Sequence, residues 1–133
     1  MQSFESLVAA MPEPEERLSA DIDVSAYFGK EPESVVMHFV DPDTPDLFRI
    51  NLYARRIASQ PQFKDWPEDM QLEVALMALC WDAGGEKEKA WLIFATMVKN
   101  LSTAQWIQLH RQFIEKFPHF TSMAKAADEE KNE

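Results

Sequence analysis

Two neighbouring segments constrain this chain more than any other feature, because each is apolar on nearly every helical face. The first holds Met70, Leu72, Val74, Ala75, Leu76, Met77, Ala78, Leu79, Cys80 and Trp81; the second holds Ala90, Trp91, Leu92, Ile93, Phe94, Ala95, Met97 and Val98. A helix that is apolar all round has to be covered all round. One such helix fits the centre of a small helical protein, but two adjacent ones need more cover than four or five helices readily provide. Two arrangements answer this. Either flanking helices and a strand shield both, or one flank stays open for a partner or a second copy. On the second arrangement Leu72, Leu76, Leu79, Trp91, Phe94 and Val98 are the candidate partner-binding residues.

Prolines, caps and charge divide the rest of the chain. Residues 1–33 carry eight acidic side chains against Arg17 and Lys30. Pro12 and Pro14 block a helix around Glu13, so Pro12–Ala20 reads as an extended linker. Before it, Ser3 is placed to cap a short helix bearing Phe4, Leu7, Val8 and Met11, an i, i+3, i+4, i+7 stripe. A helix that short is marginal in water and needs something to dock on. Ser34–Val40 is rich in β-branched and aromatic residues and predicts a strand, with Val35, Met37 and Phe39 on one face. Asp21–Phe28 is the candidate partner strand, joined through a turn at Gly29–Pro32.

Beyond Asp41 the pattern is helical. Thr44 reads as an N-cap with Pro45 at N1, opening a helix to about Ser59 with Leu47, Ile50, Ala54 and Ile57 inward, until Pro61 stops it. Pro67 with Glu68 and Asp69 opens the next helix, which runs through Trp81 towards Gly84-Gly85. A third extends from Glu86 to Asn100. The fourth starts with a capping box of Ser102 and Gln105, Leu101 and Trp106 occupying the staple positions. Trp106, Leu109, Phe113 and Phe117 form its inward stripe, and Pro118 ends it. A last short helix over Ser122–Ala127 precedes a polar tail. The expected fold is mainly α, a bundle of four to five helices preceded by a short extended element. Residues 1–20 form a flexible acidic arm, 21–125 one helical domain with an N-terminal strand, and 126–133 a polar tail.

Composition narrows the function. A net charge of −10 over 133 residues repels phosphate backbones and anionic lipid, which argues against nucleic acid or a membrane surface as partner. No run approaches the ~20 apolar residues of a membrane span. The first eleven residues lack the basic flank of a signal peptide. The expectation is a soluble cytoplasmic chain, in keeping with its single Cys80. His38, His110 and His119 have no metal-ligand spacing. Cys80 lies near a helix C-terminus without a neighbouring cation, where a thiolate is disfavoured. Three glycines, Gly29, Gly84 and Gly85, cannot build a phosphate loop. Glu15-Glu16, Glu68-Asp69 and Glu129-Glu130 are explained by solvation and dipole matching. Arg55-Arg56 is helix-surface charge. No catalytic, cofactor-binding or metal-binding residue is assigned.

Two segments carry a resemblance. Asp21-Ile22-Asp23-Val24-Ser25-Ala26-Tyr27-Phe28-Gly29-Lys30 is followed by a strand into Asp41-Pro42-Asp43-Thr44-Pro45-Asp46-Leu47-Phe48, then by helices and a charged tail. From Asp21 to Lys125 this layout resembles the tail assembly chaperones of long-tailed bacteriophages and prophages. The resemblance implies a non-enzymatic protein that binds the tape measure protein and keeps it soluble while tail tube subunits assemble. Such chaperones act in the host cytoplasm and are absent from the finished virion. It also implies the tape measure protein, and beyond it the tail tube protein, as partners. A small acidic helical protein that self-associates or regulates by binding is the alternative.

Overall fold

A computed structural model of the chain describes residues 3–11, 17–27, 35–83 and 88–121. The fold is mostly helical, with one two-stranded antiparallel sheet on its N-terminal side. Ser3 caps α1 (Phe4–Ala9), its hydroxyl accepting from the Ser6 amide as the sequence predicts. No residue of α1 is buried.

Strand β1 (Ser19–Asp23) pairs with β2 (Val36–Val40), Ala20 opposite Phe39 and Ile22 opposite Met37. The expected pairing is present, although β1 starts at Ser19, two residues inside the segment assigned to the arm. Register follows the apolar pattern, since a one-residue slip of β2 would turn Met37 and Phe39 to solvent, and one of β1 would do the same to Ile22. Ser25–Tyr27 then turns as a 3-10 helix rather than continuing the strand. The Asp23 carboxylate accepts from the Ser25 amide, the Ser25 hydroxyl accepts from the Val35 amide, and Tyr27 donates to Gln112 at 3.1 Å.

Helix α2 (Thr44–Leu47) is capped by Asp43, not Thr44: the Asp43 carboxylate accepts from the Asp46 amide at 2.7 Å. A carboxylate one position earlier can reach the orphan amide and also suits the dipole. The long helix expected to Ser59 is in fact two. At Phe48 and Arg49 ψ rises to −16° and −7°, which tightens the turn, and α3 (Ile50–Ser59) starts afresh. The break leaves Phe48 78% exposed while Leu47 and Ile50 both pack on the core. Gln60, held extended ahead of Pro61, ends α3.

Helix α4 (Glu68–Cys80) stops short of the glycines. Trp81 is extended and bridges to Phe39, and the Asp82 amide donates to the His38 carbonyl at 2.8 Å. The free edge of β2 thus takes residues that local pattern assigns to the helix. Glu88 and Lys89 form a 3-10 turn before α5 (Ala90–Lys99), while the start expected at Glu86 lies outside the described residues. Helix α6 (Thr103–Lys116) carries the full capping box, Ser102 amide to the Gln105 side chain and Gln105 amide to the Ser102 hydroxyl. The Gly29–Pro32 turn, the Gly84-Gly85 stop, the Ser122–Ala127 helix and the 126–133 tail lie outside the described residues, as does most of the linker.

The core lies where sheet and helices meet. Phe39 stands edge-on to Phe94 of α5 at 6.3 Å and to Phe113 of α6 at 5.5 Å. Phe113 continues to Phe117 and stacks on Phe120. Helix α4 packs on α3, α5 and β2, so Val74, Ala75, Met77 and Ala78 are buried from several sides. Both apolar helices are therefore largely covered from within the molecule.

Candidate interaction surface

Ala78 of α4 and Ala90 of α5 are each 1% exposed. Two such small side chains at the approach of α3, α4 and α5 leave space that larger residues would fill. The result is a cleft of about 610 Å³ walled by Leu52, Tyr53, Leu79, Trp81 and Trp91. Each wall residue has a local cause. Leu52 and Tyr53 are consecutive on α3, so Tyr53 turns into the core while Leu52 stays 38% exposed. Trp81 is set by its bridge to Phe39 and rests against Phe94, ring centroids 6.2 Å apart. Trp91 follows Ala90 at the start of α5. Asp46, Arg49, Arg56 and Glu88 complete the lining. Arg49 lies 3.7 Å from Asp46, a surface pair of small energetic value. The cleft thus has aliphatic and aromatic walls and a rim of two basic and two acidic side chains.

The six residues singled out from the sequence separate in the fold. Leu79 and Trp91 come together in the cleft. Leu72 lies across α4 in a shallower groove shared with Asn51, Ala54, Arg55 and Ala58 of α3. Leu76 is half-buried against the core. Phe94 and Val98 are 0% and 3% exposed, so they leave the candidate surface. On a helix apolar nearly all round, periodicity does not tell which face meets a neighbour. Sequence reasoning missed Phe48, Leu52 and Arg49 as surface features. The available signal was the i, i+4 spacing of Phe48 and Leu52, which sets a second apolar stripe beside the inward one.

The chemistry-bearing residues do not converge. Among the described residues no polar or charged side chain is buried, and no group of three or more His, Cys, Asp and Glu is placed to hold a metal. The three histidines sit apart, each beside its own carboxylate: His38 with Asp21, His110 at 3.9 Å from Glu73, His119 at 2.9 Å from Asp41. Cys80 is buried, and desolvation, reinforced by the Asp41 charge, pushes its thiol far above the usual value. The thiol is thereby kept protonated and shielded. Among the described residues no helix is long and apolar enough to cross a membrane. Comparison with protein-family models, with curated proteins and with solved structures finds no match.

Proposed function

We propose that the protein is a non-enzymatic binding protein whose cleft takes an apolar helical segment of a partner. The role is the one the resemblance implies: a tail assembly chaperone that covers segments of a tape measure protein and keeps it soluble, with the tail tube protein as a further partner. We read α3–α6 in this scheme as a four-helix bundle that carries the cleft on one side. The observation that supports the reading is the 610 Å³ space walled by Leu52, Tyr53, Leu79, Trp81 and Trp91. Its size falls within the ~300–1,000 Å³ of ordinary ligand sites, and helix-in-groove recognition uses this mixture of aliphatic and aromatic walls. Burial of a Leu or Phe from the partner would contribute about 1.5–3 kcal/mol each.

Co-expression with a tape measure protein, the long helical partner this reading requires, tests it. The partner should be soluble with this chain and insoluble without it. Leu52→Glu should abolish that effect while moving stability by no more than ~0.5 kcal/mol, because Leu52 is 38% exposed at the mouth of the cleft. Equal solubility with and without the chain overturns the reading. The second reading, a self-associating or regulatory acidic protein, is favoured by the open stripe of α1, and sedimentation across a concentration range separates the two.

A further inference from the structure

Helix α1 presents Phe4, Leu7 and Val8 on one face, 79%, 46% and 47% exposed, and Met11, just past its C-cap, is 63% exposed. A helix of six residues does not hold itself together in water, and a stripe with this spacing marks one that docks. The position of its tether says where. The chain rejoins the described fold at Arg17, whose guanidinium lies 3.7 Å from Asp43. Arg17 lines a recess of about 220 Å³ together with Asp46, Leu79 and Trp81. Those three residues also line the large cleft, so the arm emerges at its edge. The stretch from Met11 to Arg17 reaches at most ~20 Å when extended, and α1 is only ~9 Å long.

Charge agrees with this placement. Residues 1–16 carry Glu5, Glu13, Glu15 and Glu16 and no basic side chain. The cleft sets Arg49 and Arg56 against Asp46 and Glu88, a neutral rim in a chain of net charge −10. Among the described residues Arg56 makes no ion pair. An acidic segment therefore meets no net charge of its own sign at this rim.

We propose that α1 folds back into the cleft of its own molecule, apolar stripe inward, and is displaced when a partner segment binds. The inference rests on the reading of the cleft as a docking groove. A short tether holds α1 at an effective concentration of ~mM, so even a weak contact is populated. The partner's apparent affinity then falls by the fraction of molecules whose cleft is free.

The test is the full-length chain, ¹⁵N-labelled and carrying a nitroxide on Ala9→Cys, an exposed position off the apolar stripe that leaves the Ser3 cap intact; Cys80 is buried and escapes the label. The indole signals of Trp81 and Trp91 should be lost, while those of Trp66 and Trp106, which line a separate recess, persist. The loss should survive dilution with unlabelled chain and be reversed by Leu7→Asp, a change on an exposed face. Equal signals from all four indoles overturn the proposal. So does the same loss in label-free ¹⁵N chain mixed with spin-labelled ¹⁴N chain, which would put the stripe on a second copy. No partner takes part in the measurement, so its failure and the failure of the escort reading are distinguishable.

Discussion

Cys80 shows how little of a side chain's chemistry is intrinsic. At the end of α4 it is 2% exposed, and burial holds the thiol protonated. Folded, its proton is lost only at much higher pH; unfolded, the same thiol ionises near ~8.5. Between those values the native state binds more protons than the unfolded one, so stability is full below ~8.5 and declines as pH rises beyond it. Urea midpoints measured at pH 7.5 and 9.5 should fall, and Cys80→Ala should flatten that slope while lowering both midpoints through its cavity. Sequence position predicts a thiol without an activating cation; the depth of burial comes from α4 packing beside β2.

Individual elements divide by how far their causes reach along the chain. The capping box of α6 is readable from Ser102 and Gln105 because both bonds close within three residues. Ser102→Ala should cost about 1 kcal/mol, seen as a lower denaturation midpoint and as faster amide exchange at Gln105. The end of α4 has a distant cause. Glycines attract a helix stop to residues 84 and 85, yet Trp81 leaves the helix early because the edge of β2 offers Asp82 a carbonyl 2.8 Å from its amide. An exposed strand edge is a strong competitor for one more turn of helix, since its unpaired backbone groups are already aligned.

In the whole molecule, Phe39 is where sheet and helices become one core. It pairs with Ala20 in β1, bridges to Trp81 and meets the rings of Phe94 and Phe113. Phe39→Ala should cost about 3–5 kcal/mol, because no neighbour can close the space without moving a second element. A single urea transition, shifted to lower midpoint for probes in both β2 and α6, is the expected outcome; separate transitions would mean that sheet and helices hold independently. The same cooperativity explains why the cleft keeps its shape: its walls are fixed by Tyr53, Ala78 and Trp81, all anchored in this core.

The Ser3 and Ser102 caps, the proline stops, the strand pair and the inward stripes of α3 and α6 are legible in the linear order of residues, whereas the cap of α2 falls on Asp43 and not on the expected Thr44. Each rests on contacts within a turn or on a period-two or period-3.6 pattern that survives without tertiary help. The cleft is not legible that way. Leu52, Leu79 and Trp91 meet only after α3, α4 and α5 pack, and the small Ala78 and Ala90 matter only because they face each other's helices. Burial of Phe94 and Val98, with Trp91 left at the mouth, follows from which side of an almost wholly apolar helix its neighbours cover. That choice belongs to packing, since such a helix has no face that solvation alone prefers.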